Sequence, residues 1–253
     1  MNIVVFDTET TSLEKPFCYN IGYVITDIES GNVLCKKDFV VEQVWHNPML
    51  FTTAYYFDKR EIYISRMKGK KCIMEKFGYI CQEMIRDFKA YQVELAFAYN
   101  SPFDVKVFEW NCEWFKCNNP FDNIPIKNIM CYVHTFIAFG QEYQDFCDKH
   151  KFYTESGNYS TSAETLFRYI AKKVDFEEEH TALADSLIEL EILRTCVVEY
   201  GADINRNYKR YSSIPRKIPR ELKVVDTCGK EHTFEYIKKR CYQDGNKIIL
   251  KNS

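Results

Sequence analysis

Residues 2–9 read Asn-Ile-Val-Val-Phe-Asp-Thr-Glu, an apolar run that ends in two carboxylates. Consecutive apolar residues of this kind are typical of a strand buried on both faces of a sheet. Asp7 and Glu9 are two positions apart, and side chains at i and i+2 of a strand point to the same side. The stretch therefore predicts a buried central strand whose end presents two carboxylates that can meet one cation.

The rest of the chain predicts an α/β fold around this strand. Further strands are predicted at 19–27, 33–41, 93–98 and 125–130, and helices at 48–58, 72–89, 103–117, 131–138, 142–150, 163–173 and 181–200. The turn signal Glu29-Ser30-Gly31-Asn32 joins the first two of these strands into a hairpin. Asp27 and Glu29 repeat the Asp-x-Glu spacing, but they lead into that turn. Early strands followed by alternating strands and helices predict a five-stranded mixed sheet flanked by helices.

Two more acidic positions lie at predicted helix starts. Asp104 begins the helix after the fourth strand, where an acid is commonplace because the helix dipole favours it. His180 and Asp185 are five residues apart, which on a continuous helix would place their side chains about 140° apart. They can converge only if His180 lies just before the helix and Asp185 lies in its first turns. Each feature is weak alone, and the order of all five residues carries the information.

Together, the five residues match the pattern of a known family. The chain resembles the DEDDh exonucleases, a group that includes proofreading 3′–5′ exonucleases, ribonuclease T and oligoribonuclease. The segment 6–11 resembles the first motif of that family, the segment 99–104 resembles the second, and His180 with Asp185 resembles the third. The resemblance covers residues 1 to about 200 and implies a ribonuclease H-like fold.

The resemblance also implies a role for each residue. The catalytic residues would be His180, Asp7, Glu9, Asp104 and Asp185, and the four acids among them would hold two Mg²⁺ or Mn²⁺ ions. Carboxylate oxygens suit these hard cations, and a pair of such ions can activate water and stabilise the leaving oxygen of a phosphodiester. His180 would be the general base, since an imidazole accepts a proton near neutral pH. Contacts to the terminal nucleotide would come from Thr8, Thr10, Leu13, Asn100 and Phe103.

The chain departs from the family pattern in two places without losing a metal ligand. Ser12 stands where a Gly is usual before Leu13, and the segment 99–102 replaces a more familiar His-Asn-Ala. The expected function is a metal-dependent 3′–5′ exonuclease that releases nucleoside 5′-monophosphates. Its expected partner is a nucleic acid 3′ end, with single-stranded or frayed DNA favoured. A 3′–5′ exoribonuclease is the alternative, because the sequence does not reveal the contact that reads the 2′-hydroxyl.

Charge is distributed unevenly along the 253 residues. Residues 1–200 carry a net charge of −9 and residues 201–253 a net charge of +7. We therefore predict an exonuclease domain at 1–202 and a basic C-terminal extension at 203–253, with strands at 222–227 and 231–237. A basic extension favours capture of a polyanion, although a solvated basic tail is the alternative. The cations that would track phosphates are Arg216, Lys217, Arg220, Lys223, Lys238, Lys239 and Arg240.

Aromatic residues in the extension have two interpretations. The residues concerned are Tyr208, Tyr211, Phe234 and Tyr236. They could stack on the bases of a bound strand, or they could pack the extension onto the main domain. We favour packing.

Eleven cysteines, without a secretory signal, indicate reduced thiols in a cytosol rather than a disulfide framework. Cys147-x-x-His150 is the nearest approach to a zinc half-site, and it lacks a second half. The cysteines are therefore expected to be idle or buried thiols.

Composition excludes several classes of protein. The chain is 46% hydrophobic and 28% charged, as in globular proteins, and it lacks the run of about 20 apolar residues that a membrane helix needs. The N-terminus has no basic cap, so no signal peptide is expected and the predicted location is the cytoplasm. The abundance of Lys, Asn, Ile, Tyr and Phe is typical of an AT-rich genome and would suit a bacteriophage protein that acts in its host's cytoplasm.

Two other functions are alternatives to the exonuclease. A nuclease fold could serve only to bind nucleic acid or a polymerase, but retention of all five residues speaks against that. A nucleotidyl-transfer or kinase-like enzyme is disfavoured, because the sequence has no Gly-x-x-x-x-Gly-Lys-Ser/Thr loop.

Overall fold

The computed structural model describes residues 1–52, 54, 57–216, 219–225, 231–237, 242–244 and 247–249, with backbone alone for Phe57 and from 219 onward. Within these residues the main sheet has six strands: β1 (Asn2–Thr10), β2 (Cys18–Asp27), β3 (Val33–Val41), β4 (Ile73–Glu75), β5 (Leu95–Ala98) and β6 (Ile126–Asn128). Their spatial order is β4-β3-β2-β1-β5-β6. The first three strands pair antiparallel, whereas β4, β5 and β6 run parallel to their neighbours. The sheet is therefore mixed, and the predicted α/β class is confirmed.

Helices cover both faces of this sheet. They are α1 (Glu42–Trp45), α2 (Pro48–Phe51), α3 (Arg60–Lys68), α4 (Phe77–Ala90), α5 (Ser101–Phe115), α6 (Ile129–Val133), α7 (Gln141–His150), α8 (Ala163–Ala171) and α9 (Ala182–Arg194). A π-helical turn continues α6 to Ala138, and another continues α9 to Glu199. None of the helices that the structure describes is long and apolar enough to cross a membrane.

Strand β1 is buried on both sides, which explains its continuous apolar run. Val4 and Phe6 point into a core built with α1 to α5. Ile3 and Val5 point to the other face, into a core built with α6 to α9. Because side chains alternate along a strand, Asp7 continues the second series and is directed toward α9.

Helix α9 begins directly against strand β2 at Gly22. A Cβ atom at Gly22 would clash with the backbone of Ala182 and Leu183. Ser186 reinforces this contact, because its Oγ donates a hydrogen bond to the Gly22 carbonyl oxygen at 3.1 Å. Gly22 is also the residue paired with Asp7 in the β1–β2 register. The missing side chain at position 22 therefore brings the first turn of α9 to the carboxylate end of β1.

The structure corrects the predicted elements around the sheet edge. The sheet has six strands rather than five, because Ile73–Glu75 forms β4 where the sequence predicted the start of a helix. Three pairings with β3 hold this short strand, so a tertiary contact outweighs the local pattern. The helix predicted at 48–58 ends at Phe51, and the unpredicted α3 carries a single buried residue, Tyr63, which leaves no periodic signal.

The C-terminal extension contains the predicted strand pair. Strands β7 (Pro219–Val225) and β8 (Glu231–Ile237) pair antiparallel, and β9 (Tyr242–Asp244) pairs with β10 (Lys247–Ile249). Four of the basic residues named above, at positions 217, 238, 239 and 240, lie outside the described residues. The domain boundary at 202 stays a prediction.

Two aromatic residues of the extension pack against the main domain. The ring of Tyr208 meets Tyr132 and Phe136 at centroid distances of 4.8 and 5.0 Å. The ring of Tyr211 meets Phe139 at 4.9 Å. For these two tyrosines the packing interpretation is confirmed; the side chains at 234 and 236 lie outside the described part of the chain.

Candidate active site

Three carboxylates meet where β1 ends and α9 begins. Asp7 and Glu9 project from the same face of β1, and Asp185 lies in the first turn of α9. One oxygen from each lies within 4.8 Å of the others, a spacing at which a single divalent cation can bridge them. The helix start thus brings Asp185 to the pair that the strand provides.

The electrostatics of this cluster suit a bound cation. Burial, and then the neighbouring carboxylates, raise the pKa of Asp7 and of Glu9 well above their ordinary values. Burial and the charge of Glu178 raise the pKa of Asp185 to about 8. The Oδ1 atom of Asp185 is buried without a hydrogen-bond partner in the described part of the chain. A divalent cation would supply that partner and offset the repulsion, so these residues fit a metal site.

Asp104 borders the cluster from the other face of β1. It lies in the first turn of α5, is 4% exposed, and accepts a hydrogen bond of 2.7 Å from the Thr8 hydroxyl. Burial raises the pKa of Asp104 to about 7 despite the opposing effect of that hydrogen bond. Asp104 does not belong to the group of Asp7, Glu9 and Asp185 whose oxygens lie within 4.8 Å of one another. Its charge nevertheless contributes to the raised pKa of Asp7.

His180 lies two residues before α9, on a backbone with a left-handed φ of 54°. Its Nδ1 atom is 3.7 Å from a carboxylate oxygen of Glu178, and its side chain is 30% exposed. Burial is the largest cause that lowers the pKa of His180. A lowered pKa favours the neutral, proton-accepting form of the imidazole. This is the arrangement that the sequence required, with the His outside the helix and the Asp inside it.

A chain of polar contacts holds the segment around His180. The Asn20 amide oxygen accepts from the backbone N–H of Ala182 at 2.8 Å, and the Asn20 amide nitrogen donates to Asp38 at 2.7 Å. Arg66 donates twice to Asp38, at 3.1 and 2.7 Å, and once to Glu179 at 2.7 Å. None of the residues in this chain of contacts was predicted from the sequence. Their roles depend on strand register and on the position of α3, and the local sequence contains no signal of either.

Glu189 is another acid that the sequence analysis did not single out. It lies one helical turn after Asp185, is 4% exposed, and accepts a hydrogen bond of 3.2 Å from the backbone N–H of Tyr99. Its charge is the largest contribution to the raised pKa of Asp7 from any neighbouring group. The i+4 spacing from Asp185 was a signal that could have identified it.

Three residues expected to contact the terminal nucleotide come from the first motif, and they differ in exposure. Leu13 is 75% exposed, and Lys106 fixes its loop by donating to the Leu13 carbonyl oxygen at 2.9 Å. The Thr8 side chain is engaged with Asp104, as described above. The Thr10 hydroxyl donates to the Ser12 carbonyl oxygen at 3.3 Å. Leu13 is thus the side chain of this motif best placed to touch a base.

The second motif contributes two further expected contacts. The Asn100 amide oxygen accepts a hydrogen bond of 2.9 Å from Arg210, which lies in the extension. Phe103 is partly buried and packs against the core that underlies α5. Only part of the Phe103 ring is therefore exposed, and its contact with a nucleotide stays a prediction.

A cavity of about 530 Å³ lies beside the His180 segment, between β3, α3 and the start of α9. Lys36, Lys70 and Lys71 line it and make no ion pair within the described residues. Arg66 and Glu179 also border it. We call this feature the lysine groove. Sequence analysis did not identify it, because its lysines come from two segments that only the fold brings together.

Comparisons with known proteins bear on the fold. No family model and no curated protein matches the sequence. One solved structure that matches is that of a 3′-exonuclease in 3′-end specific recognition of a histone mRNA stem-loop. It is 13% identical, covers 92% of this chain and 90% of that chain, and has a TM-score of 0.52.

A second match is E. coli Exonuclease I in complex with a dT13 oligonucleotide. It is also 13% identical, covers 79% of this chain and 42% of that chain, and has a TM-score of 0.51. The chain therefore matches less than half the length of that enzyme. Both likenesses concern the fold, and the 3′–5′ exonuclease fold expected from the DEDDh resemblance is confirmed. A bacteriophage origin stays a prediction.

Proposed function

We propose that this chain, which has the fold of a 3′-exonuclease, is a metal-dependent 3′–5′ exonuclease that releases nucleoside 5′-monophosphates. The observation that carries the proposal is the convergence of Asp7, Glu9 and Asp185 within 4.8 Å. His180 lies two residues before α9, the helix that carries Asp185. Supporting features are the Asp185 oxygen that has no hydrogen-bond partner among the described residues and the buried Asp104. We expect DNA with a single-stranded or frayed 3′ end to be the preferred substrate.

The residues of the site have distinct proposed roles. The four acids would hold two Mg²⁺ or Mn²⁺ ions, which supply activation of water and stabilisation of charge on the leaving oxygen. His180 accepts the proton of the attacking water on a ring nitrogen. Leu13 offers an apolar surface to the terminal base. Thr8 orients Asp104 through its hydrogen bond.

The test is an incubation with 5′-labelled single-stranded DNA and RNA of one sequence, in Mg²⁺, Mn²⁺ or EDTA. Asp185→Ala and His180→Ala run in parallel. We expect a ladder that shortens from the 3′ end, requires metal and disappears in Asp185→Ala. A loss of roughly 10²–10⁴ in rate is expected for His180→Ala, the usual contribution of a general base.

The same gel separates the alternatives. The matched structures involve both a histone mRNA stem-loop and a dT13 oligonucleotide, so RNA degradation is the second candidate. A ladder from the RNA strand alone would make the protein an exoribonuclease. If neither strand is cut in any metal while both are bound, the protein is a binding module and the proposal fails.

A further inference from the structure

Three cysteines form a cluster far from the carboxylates along the chain. Cys81 lies in the second turn of α4, Cys112 near the end of α5, and Cys117 just after α5. Their sulfur atoms all lie within 4.8 Å of one another, and those of Cys81 and Cys117 are 4.0 Å apart. The sequence has 30 residues between Cys81 and Cys112, so no local motif indicates this cluster. The prediction that the cysteines are idle or buried thiols did not include this cluster.

The spacing of the sulfur atoms fits a shared metal ion. A tetrahedral zinc ion with Zn–S bonds of about 2.3 Å places its sulfur ligands about 3.8 Å apart. The sulfur atoms of Cys81 and Cys117 already have nearly this separation. A disulfide would instead require a sulfur–sulfur distance of about 2.05 Å. A metal therefore needs much less movement than a disulfide.

The surroundings favour a cation over a reactive thiolate. Cys81 and Cys112 are buried, whereas Cys117 is partly exposed. The negative end of the α5 dipole lies at the cluster, which attracts a cation and disfavours a bare anion.

An opening at the cluster leaves room for a fourth ligand. A cavity of about 210 Å³ is lined by Cys81 and Cys117 together with Gln82, Lys116 and Asn118. A water molecule or the amide oxygen of Gln82 or Asn118 can complete a tetrahedron around an ion held by three thiolates.

We propose that Cys81, Cys112 and Cys117 form a zinc site that ties α4 to the end of α5. Binding would release the thiol protons and add three strong bonds between two helices that otherwise meet through apolar side chains. Helix α5 carries Asp104 in its first turn, so the site would brace the helix that presents this acid. The proposal does not depend on nuclease activity.

The experiment is a titration of the full, phosphine-reduced chain with Cd²⁺, followed by the ultraviolet charge-transfer absorbance of sulfur–cadmium bonds. We expect saturation at one equivalent, and loss of the absorbance when a large excess of Zn²⁺ is added. Cys117→Ser should reduce the absorbance by at least a third and weaken binding at least tenfold. Cys131→Ser removes a partly buried cysteine outside the cluster and should match the wild-type chain.

Two further variants keep the outcome decisive. Cys112→Ser should repeat the effect of Cys117→Ser; if thermal melting shows that this buried substitution unfolds the chain, the partly exposed Cys117 carries the test. Asp7→Asn should leave the absorbance unchanged, because carboxylates form no sulfur–cadmium bond. The proposal is overturned if the wild-type chain shows no charge-transfer absorbance, or if Cys117→Ser retains all of it.

Discussion

Asp7 is a residue whose charge the fold tolerates poorly without a metal. Two carboxylates 4 Å apart repel by about 4 kcal/mol at an effective dielectric constant of 20, and Asp7 faces several such groups. We expect Asp7→Asn to abolish hydrolysis while the metal-free protein melts at the same temperature or higher. Gel assays and calorimetry in EDTA would measure both. A large fall in the melting temperature would show that Asp7 is a structural partner instead of a metal ligand.

The same carboxylates make the stability of the metal-free protein depend on pH. Folding raises the pKa of Asp185 from 3.8 to about 8 and that of Asp104 from 3.8 to about 7. The folded chain therefore binds protons that the unfolded chain has released, so stability falls as the pH rises from about 4 to about 8. Urea unfolding in EDTA should show this decline.

Metal provides the control for this pH dependence. A saturating concentration of Mg²⁺ should flatten the decline, because the cation stabilises the ionised carboxylates of the folded state. Equal stability of the EDTA-treated protein at pH 5 and pH 8 would contradict the shared burial of these acids.

At the scale of elements, the contact between β2 and α9 depends on one glycine. Gly22→Ala would place a methyl group against the backbone of Ala182 and Leu183. Neither element can move without displacing Asp185, so we expect a loss of about 3 kcal/mol in unfolding free energy, as in severe overpacking. Hydrolysis should fall as well.

Gly78→Ala in α4 is the matched substitution for this test. A methyl group there makes only an ordinary contact of 3.5 Å, so the change should stabilise the protein by about 0.5 kcal/mol through helix propensity. Urea unfolding of both variants measures the difference. Similar stabilities for the two variants would disprove the close approach of α9 to β2.

The segment that carries His180 is held by the contact between α3 and Glu179. Glu179→Ala removes the ion pair with Arg66 but leaves the pairing of Arg66 with Asp38 intact. An exposed ion pair is worth up to about 1 kcal/mol, so the ordered segment should become roughly fivefold less populated. We expect kcat to fall by about that factor with global stability unchanged.

Glu177→Ala in the same segment is the control, since Glu177 is exposed and makes no ion pair within the described residues. Steady-state kinetics of both variants provide the comparison. Equal kcat values for Glu179→Ala and the wild-type chain would show that this contact does not position the segment that carries His180.

At the scale of the whole molecule, two basic surfaces are candidates for the substrate backbone. The lysine groove lies beside the His180 segment, and Lys36, Lys70 and Lys71 there are unpaired within the described residues. Each phosphate contact contributes about 0.7 to the slope of log affinity against log salt for single strands. Replacing all three lysines by Gln should therefore make that slope shallower by up to about 2, measured with labelled DNA in EDTA.

The control variant replaces Lys149, Lys151 and Lys172 by Gln. It changes the net charge by the same amount, at exposed positions at the ends of α7 and α8. It should leave the slope nearly unchanged. If the two triple variants have the same slope, the lysine groove does not track the strand.

The extension is the second basic surface, and Arg216, one of its cations expected to track phosphates, is already engaged. The Arg216 guanidinium lies 3.6 Å from the centre of the Tyr153 ring and 3.4 Å from a carboxylate oxygen of Asp148. Arg216 therefore holds the extension to the main domain in preference to tracking phosphates. Arg220 and Lys223 keep the sequence-based expectation of phosphate contacts.

The sequence by itself determined the fold class and predicted four of the acidic residues of the candidate site. An apolar run followed by Asp7 and Glu9 required a buried strand with two carboxylates on one side, because the side-chain period of a strand is two. The geometry of a helix likewise required His180 to precede it and Asp185 to lie within it. The strand and helix conclusions rest on local periodicity, whereas the choice of Asp104, His180 and Asp185 as site residues rests on the resemblance to the DEDDh exonucleases.

Only the tertiary structure decided the contacts between distant segments. The link from Arg66 to Glu179 and the meeting of Cys81 with Cys117 join residues separated by long stretches of chain. The short strand β4 also exists only because β3 lies beside it. Strand register and helix packing set such distances, and both depend on the burial of the whole core rather than on any local pattern.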